Sequence, residues 1–258
     1  MRFASLGSGS GGNALVVEAD GTRVMLDCGF GVSETVRRLA RIGLDPSDLS
    51  CIVVTHEHSD HGDGAFPLAQ RFGTPVWLTH GTLAAMRETD GDLGRDCIVN
   101  LVDASREFGV GGLLIKPFTV PHDAREPVQY VISDGARRLG VLTDTGCSTA
   151  HIEDNLSGCD ALVLECNHDL DMLMNGDYPP WLKARIAGPH GHLDNATSAA
   201  LLAALDRRRL AHVIAAHLSQ QNNTPALARA ALAAALGCEP EWVSVASQDE
   251  GFDWRELR

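Results

Sequence analysis

The chain has 258 residues, 44% hydrophobic and 21% charged, an ordinary globular profile with room for one large domain or two small ones. Its formal net charge of −13 excludes broad, non-specific attraction to nucleic acid through the whole surface, though not a local basic cleft around Arg37, Arg38 and Arg41 or around Arg207, Arg208 and Arg209. No stretch approaches the ~20 apolar residues of a membrane span, and residues 1–7 show no apolar core of a secretory signal.

In chain order, alternating or β-branched runs predict strands at residues 2–6, 14–19, 22–27 and 51–55, a helix at 32–42 and another at 64–71. Further strands are predicted at 75–78, 97–102, 113–120, 128–133, 137–142, 161–165, 212–216 and 242–246. Helical patterns fall at 81–86, 148–156, 180–186, 194–205 and 225–236. The strands come in two runs, each closed by helices, with no low-complexity linker and no solenoid-length repeat. Two sheets packed face to face with helices outside would satisfy both runs, in one domain spanning 1–258. Seven cysteines, odd in number and without a CxxC pair, sit partly inside apolar runs; free thiols in a reducing cytoplasm are expected.

Between the first two strands, Gly7-Ser8-Gly9-Ser10-Gly11-Gly12 matches G-x-G-x-x-G. A dinucleotide fingerprint needs a helix next, whereas Asn13-Ala14-Leu15-Val16-Val17-Glu18 reads as a strand. The loop is therefore expected to be a hairpin connection whose N–H groups face a phosphate at most.

The densest chemistry is His56-Glu57-His58-Ser59-Asp60-His61, directly after the run Cys51–Thr55. Three imidazoles with an aspartate among them, in a turn behind a buried strand, are costly to desolvate unless they bind something. Imidazole nitrogen and carboxylate oxygen are donors for zinc, iron and manganese. Three other ligand-type residues end apolar strands: His122 after Phe118-Thr119-Val120-Pro121, Asp144 after Gly140-Val141-Leu142-Thr143, and His217 after Val213-Ile214-Ala215-Ala216.

With Asp27 in Leu26-Asp27-Cys28-Gly29 added, this series resembles the metallo-β-lactamase-fold hydrolases in residue type and order. The resemblance implies a four-layer αββα sandwich of α+β class and two divalent metal ions, zinc first, with manganese or iron as alternatives. By it, His56, His58 and His122 would hold one metal, Asp60, His61 and His217 the second, with Asp144 bridging and Asp27 orienting a ligand histidine. Asp60 would hold the nucleophilic water or take its proton. Glu165 in Leu164-Glu165-Cys166-Asn167-His168-Asp169 and His192 in Gly188-Pro189-His190-Gly191-His192 resemble the carboxylate and histidine of RNase Z-type nucleases. Carried over, Glu165 would orient His192, and His192 would protonate the leaving oxygen.

The segments Ser8-Gly9-Ser10-Gly11-Gly12-Asn13, Val120-Pro121-His122-Asp123-Ala124 and His217-Leu218-Ser219-Gln220-Gln221-Asn222-Asn223 resemble the bacterial YycJ/WalJ-like subgroup, regarded as DNA exonucleases. The chain lacks the large inserted domain of RNase J-like enzymes and the long arm of RNase Z. The implied function is a metal-dependent phosphodiesterase acting on DNA or RNA, with Asn167 and His168 at the substrate and His190 unassigned. Alternatives are a thioester or lactone hydrolase of the glyoxalase II kind, and a non-catalytic metal-binding regulator.

Overall fold

The computed structural model describes residues 1–258. Fourteen strands form two seven-stranded sheets. They are β1 (Arg2–Gly7), β2 (Ala14–Ala19), β3 (Thr22–Leu26), β4 (Cys51–Val53), β5 (Val76–Thr79), β6 (Val99–Val102) and β7 (Phe108–Val110), followed by β8 (Leu113–Thr119), β9 (Val128–Ser133), β10 (Arg138–Leu142), β11 (Ala161–Glu165), β12 (His212–Ala216), β13 (Ser244–Val245) and β14 (Phe252–Glu256). The sheet orders are β14-β1-β2-β3-β4-β5-β6 and β13-β12-β11-β10-β9-β8-β7.

Each sheet changes character partway across. Strands β1, β2 and β3 pair antiparallel through short connections, then β3 to β6 run parallel. In the other sheet β7 to β10 are antiparallel and β10 to β13 parallel. Parallel neighbours need crossovers, which the helices Val32–Arg41, Ala65–Phe72 and His80–Thr89 supply in the first half and Ala150–Leu156, Asn195–Ala204 and Pro225–Leu236 in the second.

Side-chain alternation builds the layers. Val24 and Leu26 join a core between the sheets with Tyr130, Val141, Val163 and Ile214, while Met25 points the other way onto Leu39 and Leu68 of the covering helices. Likewise Val163 faces the partner sheet, and Leu162 and Leu164 pack with Ile152, Leu202 and Leu232. The result is the expected αββα sandwich. Cys28, Cys51, Cys159 and Cys166 are buried within these clusters, as small hydrophobes.

Two strands and a helix escape the sequence reading, besides the short turns Pro46–Asp48 and Pro240–Trp242. Strands β7 and β14 are edge strands of three and five residues; β14 reads Phe252-Asp253-Trp254-Arg255-Glu256, too charged to show apolar alternation, yet it pairs with β1. The helix Leu170–Asn175 has only six residues and starts at Asp169, whose side chain accepts from Met172 N. Strand β4 stops at Val53 rather than at residue 55, because Thr55 N donates to the Asp27 carboxylate at 2.8 Å instead of to a neighbouring strand.

Candidate metal centre

Parallel strands deliver their carboxyl ends to one edge. Asp27 follows β3 and His56 follows β4; Asp144, Glu165 and His217 stand at the ends of adjacent β10, β11 and β12. His122 follows β8, two strands from β10 in the same sheet. Both Asp27 (φ 61°) and His217 (φ 54°) are left-handed, so the chain turns sharply at the strand end and throws each side chain across the edge.

The histidine-rich turn is clasped from outside. Asn13 N and Cys28 N donate to Asp60 O and His61 O, each at 2.8 Å. A Cβ on Gly29 would fall 1.9 Å from Asp60 O, so only glycine permits this approach.

The ligand-type atoms converge in two groups. His56 Nε2 and His122 Nε2 lie 3.0 and 3.2 Å from His58 Nδ1. Asp60 Oδ2 is 3.2 Å from His217 Nε2 and 3.6 Å from His61 Nε2. Asp144 spans them: its Oδ2 is 3.0 Å from His61 Nε2 and its Oδ1 is 3.9 Å from His122 Nε2. Within each of the sets His56/His58/His122, Asp60/His61/His217 and His56/His61/Asp144 the donor atoms lie within 4.8 Å of one another.

The opposite ring nitrogens are bound away from the centre. His61 Nδ1 meets Asp27 Oδ2 at 2.8 Å, His122 Nδ1 meets Gly191 O at 3.0 Å, and His56 Nδ1 meets Thr55 Oγ1 at 2.9 Å. This fixes ring orientation and leaves Nε2 of each facing inward.

Divalent cations fit this arrangement. Three imidazole nitrogens face each other at 3.0–3.2 Å with too few protons to satisfy them all, close to the ~3.3 Å separation set by two tetrahedral bonds of 2.0–2.1 Å. The buried Asp144 Oδ2 lies 3.0 Å from His61 Nε2 but makes no well-aligned hydrogen bond. Burial holds His56 and His122 below the usual imidazole range, suited to neutral ligation. Burial alone would lower His61 and His217 too, but the Asp144 and Asp60 carboxylates beside them, with Asp27 at His61, override it; His217 rises to about 9 and His61 well above its ordinary value. The carboxylates thus draw positive charge into the site, a demand that cations meet with every imidazole neutral.

Beside this centre, His192 Nδ1 meets Glu165 Oε1 at 2.7 Å and lies 3.3 Å from Asp144 Oδ1. Burial opposes a charge on His192, yet Glu165 and Asp144 outweigh it and push its pKa to about 10. Glu165 is fully buried and also accepts from Thr145 N and Leu193 N, so its position is fixed from three sides. The His192 side chain keeps 22% exposure, the opening through which it meets solvent.

Asn167 and His168, expected at the substrate, lie elsewhere. Both are buried, and Asn167 Nδ2 sits 3.1 Å from His217 O and 3.3 Å from His217 Nδ1, with His168 Nδ1 behind it at 3.3 Å from Asn167 Oδ1. Side chains so enclosed present no surface to a diffusing substrate. The physical reason is that β11 ends at Glu165, and the next residues turn inward under β12: Asn167 N bonds Leu193 O, and Ser219 N bonds Asn167 O. His190 is exposed and holds Asp123 N through its carbonyl oxygen. The Gly/Ser loop also departs from a phosphate cradle. Gly9 N donates to Asn13 Oδ1, Gly11 N to Gln248 Oε1 and Gly12 N to Gly9 O, so these three glycine donors are consumed within the fold.

Two polar neighbours went unassigned in the sequence. Asn13 Nδ2 lies 3.1 Å from His61 Nε2 and 3.2 Å from Asp60 O. Asp123 Oδ1 lies 3.5 Å from His122 Nε2 and 3.8 Å from His58 Nε2. Asp123 follows His122 directly, the one signal available; Asn13 arrives through tertiary packing alone.

Residues 22–217 match the family described as the beta-lactamase superfamily domain. The chain is 35% identical over 237 residues to exodeoxyribonuclease YycJ of Bacillus anthracis, covering 92% of this chain and 89% of that one. It is 33% identical over 236 residues to exodeoxyribonuclease WalJ of Streptococcus pneumoniae, covering 88% and 85%. Among solved structures, the metallo-beta-lactamase fold protein YhfI of Bacillus subtilis superposes with a TM-score of 0.77 over 99% of both chains at 15% identity, a likeness of fold.

Proposed function

The chain belongs to the metallo-β-lactamase superfamily, and on that premise we propose that it is a metal-dependent nuclease that hydrolyses phosphodiester bonds at the ends of DNA. The observation that carries the reading is the Glu165–His192 pair, 2.7 Å apart and 3.3 Å from Asp144. An alkoxide leaves phosphorus poorly without a proton, whereas a thiolate leaves readily, so a thioesterase has no use for this pair. The two relatives named as exodeoxyribonucleases favour DNA. No helix is long and apolar enough to cross a membrane.

His56, His58 and His122 would hold one divalent ion and Asp60, His61 and His217 the other, with Asp144 reaching both. We infer zinc, with manganese and iron accepted by the same imidazole and carboxylate donors. When bound, such ions supply Lewis acidity at the phosphoryl oxygen and a nucleophile from water at neutral pH. Asp60, steadied by His217 Nε2, orients the attacking water and takes up its proton. Glu165 grips His192 by Nδ1, which leaves the Nε2 proton for the departing deoxyribose oxygen as the P–O bond breaks. Asn167, with His168 behind it, keeps His217 in place.

The test is direct. Protein loaded with zinc or manganese is expected to shorten end-labelled DNA and to cleave bis-p-nitrophenyl phosphate, and Asp60→Ala to abolish both. Fully loaded protein that leaves every oligonucleotide and the small diester intact sinks the reading. Asp27 offers a narrower check. Asparagine tolerates the left-handed backbone at this position, so Asp27→Asn removes charge while keeping shape. Metal affinity, measured by competition with a chromophoric chelator, is expected to fall about 10- to 100-fold. Unchanged affinity would leave the Asp27–His61 contact as packing alone.

A further inference from the structure

Two short helices, Leu170–Asn175 and Pro180–Ile186, border the metal edge, and the reaction proposed above uses neither. Of the exposed large apolar side chains, Trp181 on the second helix is the most open, at 67%. A lone exposed tryptophan needs no explanation by itself. Its location supplies one.

The helix is fastened to the catalytic edge at its C-terminal end. His192 N donates to Ile186 O at 2.8 Å, and Arg185 Nε donates to Asp123 Oδ2 at 2.6 Å. Asp123 in turn stands 3.5 Å from His122 Nε2. Residues four apart share a helix face, so Trp181 lies on the face that carries Arg185, one turn, ~5.4 Å, farther from the catalytic edge.

Charge agrees with position. This helix carries Lys183 and Arg185 and no acidic residue, within a chain of net charge −13. Lys183 Nζ donates to Met174 O at 2.7 Å and ties the two helices together. Arg185 keeps 55% of its side chain exposed beyond its bond to Asp123. An open indole with the half-exposed Arg185 one turn away on its face, on a helix bonded to a phosphodiester-cleaving centre, has the makeup of part of a single-strand binding groove, where bases stack on aromatics and cations follow the backbone.

We propose that Trp181 is the stacking platform for the nucleobase next to the scissile phosphate, with Arg185 facing the backbone of the same strand; this rests on the phosphodiesterase reading above. Because the contact is to a base, it separates oligonucleotides from small diesters and favours a single-stranded end over an intact duplex, whose bases are already stacked.

The experiment is binding of a short phosphorothioate-linked single-stranded DNA to metal-loaded wild type, Trp181→Ala and Trp181→Phe, followed by steady-state cleavage of the ordinary oligonucleotide. The wild type is expected to show quenching of tryptophan fluorescence that is much reduced in Trp181→Phe. Trp181→Ala is expected to weaken Kd and raise KM by about 5- to 150-fold, with a much smaller effect on kcat, and Trp181→Phe to recover most of the binding. Equal Kd and KM in wild type and Trp181→Ala overturns the stacking role while leaving the nuclease reading intact. Wild type that neither binds nor cuts the strand overturns both. A concentration-dependent dimer that Trp181→Ala abolishes, with strand binding unaltered, assigns the indole to a second copy of the chain and overturns the proposal.

Discussion

Alanine in place of His192 is expected to lower kcat on oligonucleotides by about 10²- to 10⁴-fold, the usual contribution of a positioned general acid. The loss on bis-p-nitrophenyl phosphate should be far smaller. The difference isolates chemistry from folding, because p-nitrophenolate departs without a proton and a deoxyribose oxygen does not. Metal content should hold, since Asp144 keeps its contacts to His61 and His122 when His192 is gone. Glu165→Gln should follow in the same direction, because the amide removes the negative charge that keeps His192 protonated. Equal losses on both substrates would show that His192 supports the site's shape instead of delivering a proton.

Stripping the metal is expected to abolish turnover and to lower Tm by about 8–16 °C. Ions bind the assembled ligand set and not the unfolded chain, so at a free concentration a thousandfold above Kd they add ~4 kcal/mol of stability, and each 1 kcal/mol moves Tm by about 2–4 °C in a chain of this size. The buried Asp144 Oδ2, which makes no well-aligned hydrogen bond, and the facing imidazole nitrogens of His56, His58 and His122 leave the metal-free site incompletely satisfied. Thermal melts with and without chelator that superimpose would mean that these side chains bind no ion tightly.

Much of this is legible in the sequence. The cluster from His56 to His61 advertises itself because five polar ligand-type residues directly follow an apolar strand. His122, Asp144 and His217 are legible as strand-end residues, and the fold explains why they meet: β10 and β12 run parallel, and β8, two strands from β10 across antiparallel β9, runs the same way, so their carboxyl ends share one edge. Edge strands β7 and β14 were hidden because a strand paired on one side needs no strong apolar alternation. Asn167 and His168 sit beside Glu165 in sequence but not in role. The chain turns under β12 just past Glu165, and no local pattern records that turn. Asn13 reaches the site from the β1–β2 connection at the same edge, through backbone and side-chain contacts to the His56–His61 turn, which sequence spacing cannot express.

Anomalous diffraction from crystals of zinc-loaded protein tests the central claim most directly. Two peaks ~3.5–4 Å apart are expected, one enclosed by His56, His58 and His122, the other by Asp60, His61 and His217, with an Asp144 oxygen against each. No peak at this edge, or a peak outside these residues, would contradict the account.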